Sequence, residues 1–211
     1  MAVLPEFRPT LPELLAPAPR GVRLGLLGLY AVVVAIVVWL VVLKGDGSKH
    51  IVQRGGPVEF NISYRAPMQE ASPARGEVLR LTGSSGRLAA FSVLRLPRYA
   101  GFSEGFLPLY AESLVPEMRR RYRGFERRTD GRPSVNLIPG YEIVFQYDNA
   151  GRTAYGKRIL LMSSYAAGAR DGLDITVLEN RNQVTPTAEA IGNGGPLKFV
   201  LRSLAFGSSP P

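Results

Sequence analysis

The sequence predicts one membrane-spanning helix followed by an α+β domain, an antiparallel sheet packed by one long helix and a C-terminal helix. Three observations predict this. Leu24 to Leu43 is a run of twenty residues without a charge, rich in Val and Leu. At the helical rise it covers about 30 Å, the thickness of a bilayer's hydrocarbon core. From Phe102 to Phe125 apolar residues recur at three- and four-residue steps, the period of an amphipathic helix. On both sides of that stretch the apolar spacing falls to two, the period of a half-buried strand.

The apolar run reads as a permanent anchor over residues 22–43. A cleavable signal has a shorter apolar region and a small-residue cleavage site, whereas here Lys44-Gly45-Asp46-Gly47 follows. A lipoprotein signal requires a cysteine, and the chain has none. Trp39 suits an interfacial aromatic position. The short N-terminal side carries Arg8, Arg20 and Arg23, so the expected orientation is N-terminus in the cytoplasm and C-terminal domain outside, in a single pass of the plasma membrane. Gly21, Gly25, Gly28 and Ala35 share one helical stripe. Small residues at that spacing let two membrane helices approach closely, which makes a homodimer one reading. The ordinary abundance of Gly and Ala in such helices is the other.

Residues 1–21 hold Pro5, Pro9, Pro12, Pro17 and Pro19, a density that opposes helix and predicts an extended, disordered tail. Residues 44–57 are expected to be a polar linker, 58–207 the folded domain and 208–211 a disordered end. In the domain Val58, Phe60, Ile62 and Tyr64 alternate with polar residues as a first strand. Residues 65–76 read as loop, Glu77–Leu81 as a short strand, Ser84-Ser85-Gly86 as a turn and Arg87–Leu96 as a longer strand. Ser103 is the expected cap of the long helix, with Pro108 in its first turn and Pro116 as a potential kink. Ser134–Ile138, Tyr141–Tyr147 and Thr153–Ser163 follow as strands, with Asp148-Asn149-Ala150-Gly151 as a hairpin loop. Leu173, Ile175 and Val177 mark another strand. Thr185-Pro186 opens a short helix to about Ile191, and Pro196–Leu204 reads as the final helix.

This order resembles the PsbP-like family, which includes lumenal photosystem PsbP proteins and the secreted LpqN-type lipoproteins of actinobacteria. The residues carrying the resemblance are Phe60-Asn61-Ile62-Ser63-Tyr64, the Gly86 turn with Phe91-Ser92-Val93, Tyr110-Ala111-Glu112 in the helix, and Gly140-Tyr141-Glu142-Ile143 before a long hairpin. It covers about residues 57–207. It implies a binding or accessory module of the cell envelope, with no catalytic residue to transfer.

Composition narrows the chemistry. Zero Cys excludes disulfides, thiolate catalysis and Cys-ligated metals. The only histidine, His50, lies in the expected linker. Carboxylate pairs exist in sequence, Asp171 with Asp174, Glu104 with Glu112 and Glu112 with Glu117, and suit solvated faces. No cofactor and no metal site is expected. The net charge is +9, with Arg outnumbering Lys 22 to 4. Arg119, Arg120, Arg121, Arg123, Arg127, Arg128 and Arg132 lie within fourteen residues against only Glu126 and Asp130. Positive charge suits a helix C-terminus, and the guanidinium fork binds two oxygens of a phosphate or carboxylate at once. Arg119, Arg120, Arg123, Arg127 and Arg128 are therefore the candidate contact for anionic lipid or an envelope polymer. An extracytoplasmic domain rarely meets nucleic acid, so none is expected as a partner, and an envelope protein is the other partner class. The expected function is a membrane-anchored extracytoplasmic binding or accessory protein without catalysis. The alternative is an anchored carboxylate-dependent hydrolase.

Overall fold

The computed structural model describes residues 28–36, 47–164 and 166–208. Two units are present, 1–47 and 48–211. In the first, residues 28–36 are helical and exposed, and a Cβ at Gly28 meets nothing within 4 Å. Gly21, Gly25, the Pro-rich tail and most of the apolar run lie outside the described residues. Among the described residues no helix is long and apolar enough to cross a membrane.

The second unit is an α+β sandwich of three layers. The large antiparallel sheet has eight strands. Along its main path the order is β3 (Gln69–Ala71), β4 (Glu77–Gly83), β5 (Arg87–Arg95), β10 (Asp171–Asn180), β9 (Arg152–Met162), β8 (Ile138–Asn149) and β6 (Glu126–Gly131), with β7 (Ser134–Val135) pairing β8. Helix α1 (Ser103–Arg121) covers one face. A three-stranded sheet, β1 (Lys49–Gln53), β2 (Phe60–Tyr64) and β11 (Ala205–Phe206), covers the other together with α2 (Gly195–Arg202).

The strand period sorts residues between the two cores. On β9, Tyr155, Ile159 and Leu161 join the core under the small sheet, while Ala154, Leu160 and Met162 join the core under α1. The first core is centred on Phe60 stacked over Phe91, with ring centroids 5.6 Å apart. In the second, Phe145 packs against Tyr122 and Phe125 at 4.8 Å and 5.3 Å. Arg158 ties α1 to the sheet, donating to Asp174 from Nε and Nη2 with Glu117 at 3.9 Å.

Several elements differ from the sequence expectation. Residues 49–53, expected within the linker, form β1 and pair with β2 from Lys49↔Tyr64 to Gln53↔Phe60. Residues 69–71, expected as loop, form β3. The long helix starts at Ser103, which is buried at its first position, and Phe102 is the cap residue, without a side-chain cap bond. The helix runs through Pro108 and Pro116 and ends at Arg121. Residues 126–131 form the edge strand β6, which no apolar alternation announces. Thr185 is not a helix cap. Its hydroxyl is buried and donates to Glu179, and only Ala188–Ala190 forms a 3-10 turn. The hairpin at Ala150-Gly151 is as expected, with φ of 52° and 80° in the region type I′ turns require.

Tyr147 closes the aromatic cluster beside Tyr122, at 5.1 Å between centroids. Burial, helped by the neighbouring Tyr122 hydroxyl, pushes its pKa up to about 12 from 10.0. A raised folded pKa means the contribution is complete below the unfolded value and is lost as pH rises through the folded one. Stability is therefore expected to fall between pH 10 and about 12, by roughly 2–3 kcal/mol from this residue. Urea midpoints at pH 9 and pH 11.5 should lie closer together in Tyr147→Phe than in the parent. An unchanged difference would refute this assignment.

Candidate functional site

The pleat of β9 places one charged residue where its neighbours are core. Lys157 points to the same side as Tyr155 and Ile159, and across the ladder it faces Val144 on β8 and Val177 on β10. Its side chain is 9% exposed and its Nζ lies 3.2 Å from Glu142 Oε2. Both residues open into a cavity of about 520 Å³. Val144 and Ile159 form its apolar floor, Val135 and Leu201 its walls, and Lys198 and Arg202 from α2 its basic rim. Glu189 and Asn193 complete the lining from the segment before α2.

Local chemistry holds these walls in place. The β7–β8 hairpin turns at Asn136 and Leu137, whose φ values are 48° and 67°. Asn136 Nδ2 donates to the Leu204 carbonyl at 2.8 Å, joining that hairpin to the end of α2. Glu179 anchors the segment after β10, accepting from Arg87 Nε at 2.6 Å, Thr185 Oγ1 at 2.6 Å and Asn182 Nδ2 at 2.9 Å. Glu142 is ion-paired. The Glu189 carboxyl is held below the usual glutamate value, first by its own backbone amide and then by the Thr187 hydroxyl.

Of the carboxylates singled out in the sequence, Asp171, Asp174, Glu112 and Glu117 are directed to arginines. Asp171 meets Arg95 at 3.0 Å, Asp174 and Glu117 share Arg158, and Glu112 meets Arg127 at 2.6 Å. His50 is exposed on β1, its Nδ1 3.1 Å from Ser63 Oγ. Among the described residues no group of three or more His, Cys, Asp or Glu is placed to hold a metal ion.

The arginine cluster is divided by the fold. Arg119 and Arg120 are exposed on the last turn of α1 and make no ion pair among the described residues. Arg123 follows the helix, 89% exposed, with Asp148 at 3.9 Å. Arg127 and Arg128 are adjacent on β6, where a bulge shifts the register between Arg127 and Thr129, and they find different partners. Arg127 turns to α1 and binds Glu112 and Asp130. Arg128 binds Glu126 and Gln146. The Tyr141 hydroxyl donates to Asp130. That bond, reinforced by Arg127, holds the Asp130 carboxyl below its usual value.

No family model matches the chain, and no curated protein does. Solved structures do match. One is LpqN, involved in cell envelope biogenesis of Mycobacterium tuberculosis, at 10% identity and TM-score 0.47, covering 80% of this chain and 94% of that one. Another is the cyanobacterial PsbP (CyanoP) of Synechocystis sp. PCC 6803, at 12% identity and TM-score 0.43, covering 77% and 94%. The chain is similar in fold to these two structures.

The sequence did not single out Lys157, Lys198 or Arg202, and it marked Glu142 only as part of the Gly140-Tyr141-Glu142-Ile143 resemblance. One signal was available for the first. With Tyr155, Ile159 and Leu161 all apolar on one face of a strand, Lys157 interrupts a core stripe.

Proposed function

We propose that the chain is a single-pass, membrane-anchored extracytoplasmic binding protein of the cell envelope, acting by contact with anionic lipid and without catalysis. The observation that carries this is the set of free guanidinium groups at the end of α1. Arg119 and Arg120 have no acidic partner among the described residues, and Arg123 has only a distant, solvent-exposed one. An exposed arginine without a partner keeps its full attraction for a phosphate. The apolar run supports the choice of lipid. A domain tethered by such a run is held to a bilayer, whose headgroups carry phosphate.

The test uses the full chain in nanodiscs with or without phosphatidylglycerol. Amide exchange over residues 117–125 should slow in the anionic discs only, and the triple change Arg119→Glu, Arg120→Glu, Arg123→Glu should abolish the difference. Each basic residue near such a surface is worth about 1 kcal/mol, so the triple change is expected to weaken the contact roughly a hundredfold. Equal exchange in both kinds of disc would eliminate the lipid contact. Orientation is tested separately in spheroplasts, where external protease should digest the C-terminal domain. A protected domain would reverse the orientation.

A further inference from the structure

We propose that the cavity between β8, β9 and α2 binds a small amphiphilic anion, an apolar body ending in a carboxylate or phosphate, with Lys157 as the group that receives the charge. This site is separate from the basic end of α1 and does not depend on that contact.

The first argument is the position of the ammonium group. Its neighbours along the strand, Tyr155 and Ile159, and across it, Val144 and Val177, are all buried and apolar. An apolar residue there would complete the core, whereas a buried charge is costly unless its donors are met. An ammonium has three donors. Among the described residues Lys157 has one charged partner, Glu142 at 3.2 Å, and the cavity lies beside it.

The second argument is the balance of charge in the lining. Lys157, Lys198 and Arg202 face Glu142 and Glu189, three cations against two carboxylates, a net of +1. Lys198 and Arg202 make no ion pair among the described residues. A cationic ligand would meet that excess, while an anion neutralises it. The third argument is the rest of the surface. Val135, Val144, Ile159 and Leu201 give the site an apolar side, and about 520 Å³ lies within the range of small-molecule pockets. An apolar side joined to one buried cation, within a lining that also carries Thr129, Asn136 and Asn193, suits a molecule with an apolar body and one charged end.

The full chain, held in zwitterionic nanodiscs, is titrated by calorimetry with 4-phenylbutyrate, phenyl phosphate and the neutral 4-phenylbutanamide. At least one anion should bind ten times more tightly than the amide, and whichever anion is preferred identifies the headgroup chemistry as carboxylate or phosphate. Lys157→Met should abolish that preference. Should Lys157→Met fold poorly, the rim variant Lys198→Glu with Arg202→Glu decides, because neither group has an ion-pair partner among the described residues. It should weaken the anion about tenfold and leave the amide unchanged. Binding of both anions no tighter than the amide, or a rim variant that binds them as the parent does, overturns the proposal.

Discussion

Gly156→Ala is expected to destabilise the domain by about 3 kcal/mol, and Gly156→Val by more. Gly156 on β9 pairs directly with Phe145 on β8, and the Phe145 ring lies across it. A Cβ at residue 156 would stand 2.1 Å from Phe145 Cζ and 2.5 Å from Cε2, far inside contact distance. The ring has nowhere to go. It is fully buried, with Tyr122, Phe125 and Tyr147 around it. Those residues belong to the end of α1, the approach to β6 and the end of β8. Moving the ring therefore strains three elements at once. Overpacking usually costs about 1–3 kcal/mol, and this contact is shorter than most. A side chain in place of glycine favours a strand by at most about 1 kcal/mol, too little to offset it. The glycine is thus covered by the aromatic ring opposite, a known device of strand pairs. Chemical denaturation checks the loss. A cycle with Phe145→Leu should be strongly non-additive, because the smaller side chain relieves the clash. A loss under 0.5 kcal/mol for Gly156→Ala would show that the ring moves freely, against the packing argued here.

Glu179→Ala should lose about 3–5 kcal/mol, the usual consequence of removing one partner of a buried ion pair. Glu179 is 2% exposed and Arg87 12%. The carboxylate accepts from three side chains, so its loss leaves Arg87 without its charged partner, only Ser84 Oγ remaining at 3.3 Å, and the buried Thr185 hydroxyl without its acceptor. Removing both charges, as Arg87→Leu with Glu179→Leu, should be far milder, since no uncompensated ion remains. Amide exchange locates the effect. Residues 181–194, which Glu179 holds through Asn182 and Thr185, should exchange faster in Glu179→Ala. That segment carries Glu189 and Asn193 of the cavity lining, so anion binding is expected to weaken with it. Parent-like stability in Glu179→Ala would mean that solvent already satisfies Arg87.

What could be read from the sequence divides along physical lines. The strands β2, β8 and β10 carry two-residue apolar alternation because one face of each lies mainly in a core, while β5 and β9, which feed both cores, carry longer apolar runs. The long helix carries the 3.6-residue period for the same reason. The strand β6 carried no such signal. Glu126-Arg127-Arg128-Thr129-Asp130-Gly131 has no apolar residue, as suits an edge, where charge discourages further pairing. The strand β1 was hidden among linker residues because its pairing with β2 is decided by a partner, not by its own composition. The arginine run was visible as charge. Its division was not, because helix and strand periods direct neighbouring residues to different faces.

The sequence by itself determined the two periodicities, the hairpin at Ala150-Gly151, the excess of arginine and the twenty-residue apolar run, since each depends on residues near one another in the chain. Only the tertiary structure decided which charges are free and which are spent. Arg127 is neutralised by Glu112 from another element, while Arg119 and Arg120 are not. Of the four lysines, Lys157 alone is buried at a cavity floor among the described ones. The reason is common to both. Burial and electrostatic pairing act across space, and long-range strand order brings β6 beside β8 and α2 over β9, contacts that no local stretch of sequence encodes.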